Sequence, residues 1–358
     1  PPHEILHTAG IVPVMTEHFS ALLATKQVVA PHLDRADEAG YPRLACSFHR
    51  TMIGYSLADE ELMIPPPDLL IVANFCDSGS KGFLPVAEHF RVPHYFLDLP
   101  LYHGGRDAEE SRAAVEYLKS QFEELLKWVE GFTKTPVEAD QLRESISLAG
   151  QAIHLWGEIS KLRTRVPCPM GVVDEAGTLY PLMQLLGTPT AVGFYQMLLQ
   201  EVQARAEAGV GVIDQERRRL LWLGPIINYD TSLLNYFEES GVVVVKSDSD
   251  LLYTQDLDPD RPLESLAEKY VYDNYFSVLS VRLEKTRQLI QNYQVDGVVL
   301  YSHLGCRHYC GGQKAVRDMI AREYGLPILE LSGDLADFRG YDSQQARDQV
   351  DRFIERLG

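Results

Sequence analysis

The sequence predicts an α/β protein of two doubly wound parallel-sheet units joined by a helical connector, and three observations carry that prediction. Short apolar runs alternate with helical patterns through the N-terminal part, the stretch from Arg106 to Arg165 keeps helical spacing throughout, and a second alternating series fills the C-terminal part. In the first series the runs GIVPVM, RLACSF, DLLIVANFCD and VPHYFLDLP are separated by segments such as TEHFSALLATKQVVAPHL and SKGFLPVAEHF, the order expected of strands linked by crossover helices. In AAVEYLKSQFEELLKWVEGF and ESISLAGQAIHLWGEISKL the apolar positions recur at the helical period with charged residues between them, which predicts a helical layer. VPCPMG interrupts the pattern with two prolines, and LYPLMQLLG and VGFYQMLLQEVQARAEAG resume it as helices. The division is therefore placed there, with residues 1–168 as an N-terminal α/β unit carrying the connector and residues 169–358 as a second α/β unit. RLLWLGPII, GVVVVKS, VDGVVLYSH and LPILELSGD read as the strands of that second unit, with VLSVRLEKTRQLIQNY and GGQKAVRDMIAREYG as helices between them and SQQARDQVDRFIERL closing it.

Composition bounds the function. A chain of 358 residues that is 45% hydrophobic has the length of about two domains at roughly 150 residues each. A net charge of −18 argues against a nucleic-acid partner, because a polyanion meets repulsion over most of the surface. No apolar run reaches the ~18 residues of a membrane span, and PPHEIL lacks the basic-then-apolar order of a signal peptide, so the expected setting is cytoplasmic with no membrane partner. Five cysteines scattered over this length do not make a disulfide framework; they are packing residues, metal ligands or nucleophiles.

Three of the five fall where parallel sheets gather ligands, outside the carboxyl ends of strands. Cys46 ends RLAC, Cys76 ends LLIVANFC, and Cys306 follows GVVLY by a few residues. Facing rims would bring them together, and converging thiolates select soft metals: zinc, copper(I) or iron–sulfur clusters. The spacing is unlike a zinc site, which draws on close C-x₂₋₄-C pairs, and the single pair here, Cys306 and Cys310, has no second pair to complete it. Cys310 is a candidate extra ligand. The competing reading is that these are small buried apolar residues, as free cysteines commonly are, and Cys168 between two prolines is read so. Acid and hydrogen-bond candidates stand beside the thiols: His49 and Arg50, Ser78 and Lys81, and His303, Arg307 and His308, with the three histidines as the candidate catalytic groups. Gly305, Gly311 and Gly312 suit a loop whose backbone approaches an anion, and Asp334, Asp337 and Arg339 are expected to cap and pin the closing helix.

Several of these stretches resemble one family. PHEILHTAGIVPV is similar to the opening of the 2-hydroxyacyl-CoA dehydratases and class I benzoyl-CoA reductases, and the cysteines of LACSF and VANFCDS follow at the expected distances. DGVVLYSHLGCRHYCGGQKAVRDMIAREYGLPILELSGDLADFR and QARDQVDRFIERL resemble the end of the same family's cluster-bearing subunits. The resemblance implies two flavodoxin-like (Rossmann-like) domains gripping a [4Fe-4S] cluster through Cys46, Cys76 and Cys306. It implies a CoA thioester substrate, a homologous second subunit or a homodimer, and an ATP-hydrolysing iron–sulfur activator that supplies a low-potential electron for ketyl radical chemistry, either dehydration or ring reduction. The loops after Pro100 and the 171–200 region are expected to select the acyl group. Two features depart from the pattern: Arg347-Asp348-Gln349 in the closing helix, and Cys310, which as a fourth ligand would close the open iron and mark an electron-relay subunit without a substrate site. Two further alternatives are a double-cubane reductase of small molecules, for which five cysteines fall short, and a small-ligand-binding α/β protein without a cluster.

Overall fold

The carboxyl ends of parallel strands, and the turns that leave them, organise this chain. The structure is a computed structural model that describes residues 2–58, 63–100, 109–251, 253–272 and 278–358. In chain order its elements are α1 (His3–Thr8), α2 (Thr16–Thr25), α3 (Ala30–Glu38), α4 (Ser47–Ser56), β1 (Leu70–Ala73), α5 (Asp77–Gly82), α6 (Leu84–Phe90) and β2 (His94–Leu97). There follow α7 (Glu109–Thr133), α8 (Ala139–Leu162), α9 (Val172–Thr178), α10 (Tyr180–Gln184), α11 (Pro189–Glu207), β3 (Arg218–Leu223), α12 (Ser232–Glu239) and β4 (Val242–Ser247). The chain closes with α13 (Pro262–Tyr272), α14 (Leu279–Tyr293), β5 (Gly297–His303), α15 (Arg307–Gly311), α16 (Gln313–Glu323), β6 (Ile328–Gly333) and α17 (Ser343–Leu357).

The C-terminal sheet is parallel throughout, in the order β4-β3-β5-β6. Side chains alternate between its faces along each strand. Leu220, Trp222, Val242, Val244, Val299 and Tyr301 pack on one face against Leu233 and Phe237 of α12 and Val350 and Phe353 of α17. Leu221, Leu223, Val243, Val245, Val298 and Leu300 pack on the other against Leu289 and Tyr293 of α14 and Val316 and Ile320 of α16. Both faces are covered, which is why the strands read as continuous apolar runs. Because β4 and β5 lie on opposite sides of β3, the strand order reverses between β3 and β5, and a doubly wound sheet opens its ligand crevice at that point. Cys306 leaves the carboxyl end of β5 there.

The N-terminal part is less regular than its alternating runs predict. Among the described residues its sheet has two strands, β1 and β2, paired in parallel from Leu70 with His94 to Ala73 with Leu97. GIVPVM forms no strand: Pro13 has no N–H to give a ladder, and Val12 and Val14 are exposed. RLACSF is no strand either; it turns through Leu44, which is exposed, into α4, whose first residue is Ser47. Instead α2, α3 and α4 pack on one another and on β1 and α6 through Leu23, Val29, Leu33, Ile53, Val72 and Val86, with Ala336 from beyond β6 inserted in the same cluster.

The predicted helical stretch is two long helices, α7 and α8. The stripe Leu118, Phe122, Leu125 and Val129 of α7 meets Leu266 and Val271 of α13, and Ala149, Ile153 and Trp156 of α8 meet Ala191, Tyr195 and Val202 of α11. No helix among the described residues is long and apolar enough to cross a membrane.

Candidate functional site

Cys46, Cys76 and Cys306 come from three distant parts of the chain and line one cavity of about 390 Å³. Each occupies the same local position, the residue that caps the N-terminus of the helix following it: α4, α5 and α15. A capping residue stands where backbone N–H groups lack intrahelical partners, and these groups favour a negatively charged sulfur. The Gly79 N–H donates to Cys76 Sγ at 3.2 Å.

Burial works in the opposite direction. Desolvation pushes the Cys46 thiol far above its ordinary range; the N–H groups of His49 and Phe48 pull it back, and Cys76 and Cys306 push it further. Cys76 is pushed up to about 11, mainly by burial, with the N–H of Gly79 opposing and the Glu17 charge reinforcing. Burial also raises Cys306, against the N–H groups of Tyr309 and His308. At neutral pH the three sulfurs are therefore protonated in the absence of a metal, and metal binding must displace their protons.

Two glycines let the loops meet. A Cβ on Gly305 would lie 2.9 Å from Cys46 Cα, so the Cys306 turn touches the backbone of the Cys46 turn only because residue 305 has no side chain. A Cβ on Gly79 would lie 3.1 Å from the His49 ring, which fills the space between α4 and α5. Gly311 meets nothing and Gly312 only side chains, so the close approach expected of the glycine group belongs to Gly305.

The histidines divide. His49, almost fully buried, lines the cavity and pairs through Nε2 with Glu17 Oε1 at 3.3 Å. Burial raises the Glu17 carboxyl, but the hydrogen bond and charge of His49 overcome this and bring it down to about 2. His308 also lines the cavity. His303 does not: it lies behind Cys46, with Nε2 3.4 Å from the sulfur, and burial lowers its pKa so that the ring is neutral at pH 7. Cys310 does not line the cavity, and its thiol donates to the His303 carbonyl at 2.9 Å. Cys168 is fully buried and donates to the Met170 carbonyl at 3.1 Å.

Arg50 lines the cavity but is tied down at its back, bonded to Asp37 and 3.4 Å from Asp337, while Arg339 bridges Asp337, Asp37 and Asp34. Asp337 and Arg339 thus pin the loop after β6 to α3 and α4, contrary to the expectation that they cap the closing helix. Asp342 caps α17, accepting from the Gln344 and Gln345 N–H groups, because it is the residue directly before the first turn. Asp334 caps its own loop through the N–H groups of Leu335, Ala336 and Asp337. None of residues 171–200 lines the cavity; α11 packs on α8, α10 on α11, and α9 on β4 and α12. The segment directly after Pro100 lies outside the described residues.

Sequence reasoning missed Glu17, Asp37 and the cavity wall of Tyr41 and Pro42. Their roles depend on the packing of α2, α3 and α4, for which no local spacing is a signal.

Among the described residues, no three His, Cys, Asp or Glu side chains gather closely enough to hold a single metal ion. A polynuclear cluster, bound through several irons, spans a wider set of thiolates than one ion does, and a cavity of about 390 Å³ holds on the order of a dozen waters at roughly 30 Å³ each. Three soft sulfur donors around such a space fit a cluster better than an isolated ion.

The chain matches the family described as "2-hydroxyglutaryl-CoA dehydratase, D-component" over residues 1–357. It is 21% identical to the (R)-phenyllactyl-CoA dehydratase alpha subunit of Clostridium sporogenes, over 96% of this chain and 84% of the relative. It is 24% identical to a benzoyl-CoA reductase subunit of Thauera aromatica, over 90% and 78%. With the lactoyl-CoA dehydratase alpha subunit of Anaerotignum propionicum it shares 22% identity, over 99% and 88%.

Proposed function

The chain belongs to the 2-hydroxyglutaryl-CoA dehydratase D-component family, and from that premise we propose that it is the iron–sulfur subunit of a 2-hydroxyacyl-CoA dehydratase or a benzoyl-CoA reductase-type enzyme. The observation that carries the reading is the convergence of Cys46, Cys76 and Cys306, each at a helix N-terminus, on one cavity. These three would hold a [4Fe-4S] cluster. When bound, a cluster with three thiolate ligands supplies a low-potential electron and an iron open to a carbonyl oxygen. The electron would come from an ATP-dependent activator and serve a CoA thioester, with a related subunit as partner.

The chain's own residues have definable parts in this. His303 supports Cys46 from behind without itself lining the cavity, which makes it a positioning residue. His49 and His308 are the groups placed to meet a ligand, His49 held in place by Glu17. Arg50 and its carboxylates fix the Cys46 helix against the loop after β6, so the two sides of the cavity keep their spacing. The electron-relay alternative needs Cys310 as a fourth ligand; its thiol is committed to the His303 carbonyl, which favours the open-site reading.

The test is anaerobic iron and acid-labile sulfide analysis with EPR, on the wild type and on Cys46→Ala, Cys76→Ala, Cys306→Ala and Cys310→Ala. The expected result is about four irons per chain, lost with any of the first three and kept in Cys310→Ala. Wild-type protein without iron would sink the proposal, and iron that depends on Cys310 would transfer it to the relay subunit.

A further inference from the structure

The cavity has an electrostatic feature that cluster ligation leaves unused. Its lining carries three cations, Arg50, Lys81 and Arg307, against one carboxylate, Asp77, in a chain whose net charge is −18. Arg50 is neutralised by Asp37 and Asp337. The Lys81 and Arg307 side chains have no hydrogen-bond or ion-pair partner among the described residues. A lone exposed lysine or arginine is ordinary. Two from distant parts of the chain lining the same cavity are less so: Lys81 stands in the last turn of the helix that Cys76 begins, and Arg307 directly follows Cys306.

We infer that Lys81 and Arg307 form an anion-binding pair that takes an oxyanion of the thioester ligand. The source is either a phosphate of CoA or a carboxylate at the far end of the acyl chain. This rests on the reading of the chain as an acyl-CoA enzyme and deepens it. The guanidinium offers a planar fork matched to two oxygens, and the ammonium a mobile point charge, a combination suited to an oxyanion entering between α5 and α15. A positive wall in an otherwise negative protein also concentrates the field at the cavity mouth and draws an anionic ligand there.

The test measures affinity by anaerobic titration calorimetry, using the purified protein with any copurifying subunit. The variants are Lys81→Gln, Arg307→Gln and the conservative Arg307→Lys; the probes are CoA, 3′-dephospho-CoA, glutaryl-pantetheine and the neutral butyryl-pantetheine. Each Gln variant is expected to weaken an anionic probe by about tenfold, as loss of a charge-assisted hydrogen bond does, with butyryl-pantetheine unchanged and Arg307→Lys intermediate. Weakening confined to CoA identifies a phosphate as the bound group; weakening confined to glutaryl-pantetheine identifies the acyl carboxylate. Unchanged affinity for every probe overturns the inference, all the more if the variants shift the cluster's reduction potential, since the cations would then serve the metal centre. Iron-free wild-type protein would defeat the functional proposal alone, because the probe affinities still decide this one.

Discussion

Two regions of this protein concentrate buried polar groups, and they treat them oppositely. At the carboxyl end of β4, fully buried Arg163 and Glu175 form an ion pair, Glu175 also bonds the Ser247 hydroxyl, and Lys246 pairs with Asp250, which accepts from Trp156 Nε1 at 2.6 Å. Arg163 spends its other donors on the Met170 and Val245 carbonyls at 3.0 and 2.7 Å. Burial lowers the pKa of both cations, but their carboxylate partners outweigh it and the net direction is up, so these charges are stabilised where they stand. In the cysteine cavity, by contrast, desolvation dominates: the thiols are pushed up, and two cations have no partner among the described residues. The difference separates buried charges that are paired from a cavity in which burial opposes charge on the thiols and two cations stand without a partner among the described residues.

Breaking the paired network should have the largest effect on stability. Glu175→Gln leaves Arg163 buried without its counter-charge and is expected to cost about 3–5 kcal/mol in urea unfolding, with iron uptake per folded chain unaffected. A cost under about 1 kcal/mol would mean that the pair is not a buried unit.

At the cavity the sensitive element is the meeting of backbones. Gly305→Ala places a Cβ against Cys46 Cα and is expected to cost about 1–3 kcal/mol, the usual penalty of overpacking, and to lower iron content disproportionately. Full iron loading in that variant would show that the two turns are free to separate.

The smallest effect sharpens the contrast on the sheet side. Burial and the Asp174 charge raise Glu238 to about 7. The folded state then keeps a proton that the unfolded state has released, so this group's contribution falls as pH rises from about 4.5 to about 7 and is level above. Glu238→Gln should remove that slope from a plot of Tm against pH. An unaltered slope would show that Glu238 titrates normally.

Much of this was legible in sequence, unevenly so. The four strands of the C-terminal sheet were readable because both faces are covered: GVVVVKS and VDGVVLYSH must be apolar throughout to fill two cores at once. The same signal misled in GIVPVM and RLACSF, where apolar residues mark exposed turns beside the cavity or before α2, and Pro13 bars a ladder. The helices α7 and α8 followed from periodicity alone.

The cysteines show where sequence stops. Their identity, their place at the ends of apolar runs and the glycine before Cys306 are local facts, written in the order of residues. That Cys46, Cys76 and Cys306 face one cavity, that Cys310 turns away to the His303 carbonyl, and that Arg50 is neutralised while Lys81 and Arg307 are not, are decided only by the packing of segments far apart in the chain. The physical reason is that periodicity and capping act within a few residues. Convergence and charge compensation instead depend on the distances between elements, which the whole core sets together.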